Sequence, residues 1–142
     1  MAIENKLMCY AIIIKGNQVL LCECKKGSRL YYSFLGVEYS KGLEEDCVKN
    51  YLLNNIGIEA VPVKKVYEYI GHDYTANFFL LNWTSGIAKK TGDNIHITPV
   101  LVNLNKLIDT TLLPAEIKQQ IILDYAKFGK NLANNLITVY EE

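Results

Sequence analysis

The sequence predicts an α/β fold, and three observations carry that prediction. Runs rich in β-branched and aromatic residues are interrupted by two segments whose apolar positions recur with helical period. Glycine and proline punctuate the junctions between these segments. The 142 residues are 50% hydrophobic, which suits one globular domain, residues 1–142, around a single well-filled interior.

The elements follow in order. Lys6 to Lys15 contains the strand-type run MCYAIII, and the Gly16-Asn17 turn leads into VLLCECK, which alternates partly from Val19 to Lys25. A hairpin is expected there. Leu30 to Leu35 (LYYSFL) reads as another short strand, and Gly36 to Lys41 has the composition of a loop. From Leu43 to Asn55 the period becomes helical, with Leu43, Cys47, Tyr51 or Leu52 and Ile56 on one side and Glu44, Glu45 and Lys49 on another. Gly57 supplies the stop, because a left-handed residue costs glycine little. Ile58 to Tyr69 and Tyr74 to Trp83 read as two strands around the turn Gly71-His72-Asp73. Ser85 to Asn94 is turn-rich, and a last strand is expected near Thr98 to Asn103. Pro114 opens a second helix with Ile117, Ile121, Ile122 and Tyr125 as its apolar stripe, and Gly129 ends it. Residues 130–142 are left as a tail without assigned structure.

Charge and cysteine content narrow the function classes. Fifteen basic and fifteen acidic residues cancel, so neither nucleic acid nor an anionic membrane is an expected partner. The N-terminal MAIENKLMCYAIII has no basic leader, and its apolar run is far below the roughly 20 residues of a membrane span, so a cytoplasmic protein is expected. Cys9, Cys22, Cys24 and Cys47 form no CxxC pair and no metal-type spacing with His72 or His96. Small buried thiols are the expectation, without zinc or disulfides.

The element order resembles the Nudix hydrolase superfamily, whose box runs G, five residues, E, seven residues, then R-E-U-x-E-E-x-G-U, with U a bulky aliphatic residue. With the first glycine on Gly36, the late glycine falls on Gly57, the helical aliphatic on Leu52 and the closing aliphatic on Ile58, without a gap. VYEYIG ahead of FFLLNW, and VNLNKL followed by LLPAEI, agree with the same order. The resemblance implies an α/β/α sandwich around a mixed sheet. At the same register the family's first glutamate is Gly42, its arginine is Asn50 and its three helical glutamates are Tyr51, Asn54 and Asn55. Every charged position of the box is neutral here.

That substitution pattern has a chemical consequence. The resemblance implies attack of water on a nucleoside diphosphate derivative, with Mg²⁺ held by carboxylates on one helix face, a face that positions 51, 54 and 55 would share. Mg²⁺ favours anionic oxygen ligands, and two amides and a phenol supply none. The expected protein therefore has weak or no hydrolase activity of the family's type, no cofactor, and a cleft for a nucleotide or other phosphorylated small molecule. The alternative is a Mg²⁺- or Mn²⁺-dependent pyrophosphohydrolase with displaced ligands from Glu38, Glu44, Glu45 and Asp46. These acids also suit the first helical turn, where they complement the helix dipole and Glu45 can pair with Lys49.

Lys25, Lys26 and Arg29, followed by Tyr31 and Tyr32, could offer cations and stacking faces to a phosphorylated ligand, as could Gly36 and Tyr51 in the box. A solvated basic turn explains the same residues. His72 and His96 could each serve as a base but have no identifiable partner in the sequence. Tyr10, Tyr67, Tyr69, Tyr74, Phe78, Phe79 and Trp83 are expected in the core or at an interface, and a homodimer built on tyrosine-rich strands is a third reading.

Overall fold

The computed structural model describes residues 6–89 and 97–142. A five-stranded mixed sheet runs in the order β10-β6-β7-β1-β5, with β1 (Lys6–Ile12), β5 (Leu35–Glu38), β6 (Ile58–Ile70), β7 (Tyr74–Gly86) and β10 (Ile137–Tyr140). A second sheet contains β2 (Ile14–Lys15), β3 (Gln18–Lys26), β4 (Arg29–Ser33) and β9 (Leu112–Leu113) in that order, with β8 (Thr98–Asn103) on the other side of β3. Two α-helices among the described residues, α1 (Glu44–Tyr51) and α2 (Ala115–Phe128), flank the sheets.

Alternation along the strands creates two cores. Ile12, Phe78 and Leu80 join Ile117 and Ile121 of α2 in one cluster, whereas Ala11, Ile13, Phe79 and Leu81 join Val48 of α1 and the following Leu52 and Ile56 in the other. A sheet apolar on both faces needs a helix on each, and that is an α/β/α sandwich. The mixed character is explicit: β1 lies parallel to β7 and antiparallel to β5. Pro62 lies in β6 where only β7 pairs with it and next to a register shift, so the missing N–H disrupts no inner ladder.

Several expected elements are corrected. The first hairpin is only β2 with the start of β3 around Gly16-Asn17; β1 leaves into the other sheet, where its ladder to β7 extends over Lys6–Ile12. Leu30 to Leu35 is not one strand but the end of β4 and the start of β5, which change sheets at Phe34. Gly36 to Lys41 is not wholly loop: Gly36 to Glu38 pair with Met8–Tyr10. Leu52 and Ile56 are buried as the sequence pattern suggested, but α1 buries Val48 in place of the half-buried Cys47, and Leu43 is 61% exposed. Residues 130–142 are not a structureless tail. A 3-10 turn follows α2, and β10 adds in parallel to Tyr67–Ile70 of β6.

Candidate functional site

The box region is built on two glycines. Gly36 sits in β5 opposite Tyr10, so close that an added Cβ would lie 2.2 Å from the Cys9 carbonyl oxygen and 2.4 Å from the Tyr10 ring. Only glycine permits that approach. Gly57 ends the helix at φ 86°, in the left-handed region, and its N–H donates to the Leu52 carbonyl at 2.9 Å. That five-residue step marks a π-type turn over Leu52–Ile56, a widening frequent at functional sites. Positions 54 and 55 therefore lie on a widened turn rather than on regular α-helix, and the shared face expected with position 51 is altered.

The side chains on this turn have other occupations. Asn55 donates through Nδ2 to the Tyr51 carbonyl at 3.2 Å. Tyr51 packs half-buried against the α1-side core, and burial pushes its phenol up to about 12, with Cys22 and Tyr10 as further electrostatic neighbours. At neutral pH it is an uncharged hydroxyl. Asn54 and Asn50 are exposed, and Gly42 lies in the loop at φ 80°.

Of the acids, only Glu44 and Glu45 share a pocket. Glu44 accepts from Asn77 Nδ2 at 2.5 Å and from the Cys9 thiol at 3.8 Å, which ties the start of α1 to β7 and β1. The same carboxylate, together with burial, pushes the Cys9 thiol up to about 12, burial being the larger cause. Glu44 and Glu45 line a pocket of about 360 Å³ with Tyr39, Phe79, Lys64 and Lys65. Glu38 is exposed at the end of β5, and Asp46 is exposed on α1. Among the described residues no three His, Cys, Asp or Glu side chains are grouped to hold a metal ion. A Mg²⁺ ion of the kind the fold implies finds no carboxylate at positions 51, 54 and 55, so these residues do not fit it. The charged-type contacts among the described residues are Lys65–Glu68 and that of the His72 ring with Glu141, so the expected Glu45–Lys49 pair does not form.

The basic turn has a defined geometry. Lys26 and Arg29 are directly paired across the Gly27-Ser28 turn that joins β3 to β4, with Gly27 at φ 65°. With Leu30, Tyr31, Thr111 and Leu113 they line a pocket of about 600 Å³. Lys25 faces a neighbouring pocket with Cys24, Tyr31 and Thr98. Tyr31, opposite Cys24, lines both pockets, whereas Tyr32, opposite Glu23, packs on the α2-side core. The period of two along β4 distinguishes these tyrosines, and of the two Tyr31 is the one that reaches the pockets. His72 pairs with Glu141 at 3.0 Å near the C-terminal strand, and His96 lies outside the described residues. Tyr10, Phe34 and Phe78 form an aromatic cluster, with Tyr10 and Phe78 stacked at 5.2 Å.

The fold superposes on solved Nudix structures. A NUDIX hydrolase from Nitrosomonas europaea matches with a TM-score of 0.74 at 12% identity, over 97% of this chain and 81% of that one. The chain has the Nudix fold. An ADP-ribose pyrophosphatase from Streptococcus suis matches with a TM-score of 0.69 at 16% identity, over 97% of this chain and all 100% of the other. A UDP-X diphosphatase matches at 0.70 and 14% identity, over 96% of this chain and 69% of its own. No family model and no curated protein matches the sequence. Likeness at these identities concerns the Nudix fold and leaves activity open. No helix among the described residues is long and apolar enough to cross a membrane.

Proposed function

We propose that this Nudix-type domain binds a nucleotide or another phosphorylated small molecule and does not hydrolyse it by the metal-dependent route of Nudix enzymes. The observation that carries this reading is the pairing of Lys26 with Arg29 beside Tyr31 at the mouth of one pocket. Two cations directly opposite each other across a tight turn repel. A phosphate between them reverses the sign, and Arg29 offers a planar fork for its oxygens. Tyr31 supplies a ring on which a base can stack. The neutral residues at 51, 54 and 55 support the second half of the proposal, since Nudix-type hydrolysis relies on metal-activated water and on stabilising developing charge.

Calorimetric titration in EDTA tests it, with ADP-ribose, a UDP-sugar and a sugar phosphate as probes. At least one probe should bind without metal, with affinity that falls as salt rises and drops about tenfold or more in Arg29→Ala, the loss of a charge-assisted contact. No binding by any probe, or binding unchanged in Lys26→Ala/Arg29→Ala, refutes the site. Mg²⁺-dependent turnover that disappears in Glu44→Gln would instead establish a hydrolase with displaced carboxylates.

A further inference from the structure

Strand β3 carries a pair of cysteines that the proposed function leaves unused. Cys22 and Cys24 are two residues apart, so the period of the strand puts both on one face, and their sulfurs stand 3.7 Å apart. We propose that this pair is a two-thiolate site for a soft divalent cation of the Zn²⁺ or Cd²⁺ class. Two sulfurs bound at about 2.3 Å to one tetrahedral ion are separated by about 3.8 Å, so the bite is already present. Soft thiolates select such ions over Mg²⁺, which prefers oxygen.

Oxidation of the pair is the competing chemistry, and the strand opposes it. Alternate residues of a strand are separated by about 6.6 Å between Cα atoms, near the outer limit for a disulfide, and the sulfurs would have to close to about 2.05 Å. Strand β3 cannot bend to help, because β4 and β8 pair with it on both sides at Cys22, through Ser33 and Pro99. Chelation needs no such movement.

The surroundings suit a bound ion. The Ser33 hydroxyl lies 3.6 Å from the Cys24 sulfur. Burial pushes the Cys22 thiol up and the neighbouring Cys24 adds to the rise, while the Thr98 backbone and the Ser33 hydroxyl act in the opposite direction by hydrogen bonding. A dication replaces the two thiol protons and removes that burial penalty, so binding releases protons and strengthens with pH. Cys24, though not the nearly buried Cys22, opens onto a pocket of about 420 Å³ lined by Glu23, Lys25, Tyr31 and Thr98, so water or an incoming ligand would reach the ion from the Cys24 side. Tyr31 also borders the cationic pocket, so an ion here would adjoin the phosphorylated ligand without depending on it.

Cd²⁺ alone, titrated into the reduced full chain, tests the site through thiolate-to-cadmium absorption in the ultraviolet. The expected result is saturation at one ion per chain with the intensity of two thiolates, competition by a large excess of Zn²⁺ but not of Mg²⁺, and loss of the signal in Cys24→Ser. Cys9→Ser and Cys47→Ser should retain it. Because Cys22 is nearly buried, Cys24→Ser at the half-buried position is the deciding variant, with its melting curve as the control for folding. Absence of a saturable signal in the wild-type chain, or an unchanged signal in Cys24→Ser, overturns the proposal.

Discussion

Replacing Gly36 with alanine should destabilise the protein far more than any other small change in the box loop. The added Cβ would stand 2.2 Å from the Cys9 carbonyl oxygen, 2.4 Å from a Tyr10 ring carbon and 2.8 Å from the Tyr10 Cα, and two of those three atoms are backbone. Strand β1 cannot retreat, since it is locked to β7 from Lys6 to Ile12 on its other edge. Strand β5 must therefore move, loosening its pairing from Leu35 to Glu38 and withdrawing Leu35 from the core. Overpacking against backbone puts the cost near the upper end of the usual range, about 3 kcal/mol. For a domain of this size that corresponds to roughly 9 °C in melting temperature. Gly42 provides the control: nothing lies within 4 Å of an added Cβ there, so only its φ of 80° opposes alanine, at about 1 kcal/mol. Urea unfolding followed by circular dichroism measures both. A Gly36→Ala protein within about 0.5 kcal/mol of wild type, or more stable than Gly42→Ala, would refute the reasoning.

Other outcomes follow from the same structure. Tyr67→Phe removes the 2.6 Å hydrogen bond that Tyr67 donates to buried Asp124, leaving that carboxylate with Gln120 at 3.1 Å, and should cost about 2 kcal/mol in urea unfolding. A further Asp124→Leu change in the same protein should recover part of that loss, because no unpaired acceptor then remains. Alkali should destabilise the fold: the Cys9 thiol is raised from 9.0 to about 12, so its contribution is complete below pH 9 and is lost as pH rises from there through 12. Cys9→Ala should flatten that part of the stability profile, and an unchanged slope would remove burial of the thiol as its cause.

The two helices, the Gly57 stop and the β6–β7 pair were legible in the sequence because each is encoded locally, by a period, a cap or a turn. What was not legible depends on distant partners. The exchange of sheets at Phe34 leaves no mark in LYYSFL, since both halves have strand composition. Gly36 to Glu38 read as loop because the stretch 36–41 is rich in glycine and polar residues; they are strand because they pair with Met8–Tyr10 of the distant β1. The run Ile137–Tyr140 finds its partner in Tyr67–Ile70, far away in the chain, which no local pattern announces. At the site, the neutral box was readable position by position, but the π-type turn that redirects Asn55 was not. The thiol pair is hidden for a different reason: its spacing is not CxxC, and a strand rather than a turn brings the two cysteines together.

The central claim concerns charge on one short helix, and Mn²⁺ binding to the full chain, followed by electron paramagnetic resonance, tests it directly. The account predicts that the signal of free Mn²⁺ stays undiminished up to millimolar ion, because positions 51, 54 and 55 present no carboxylate. A stoichiometric Mn²⁺ site that vanishes in Glu44→Gln would contradict it.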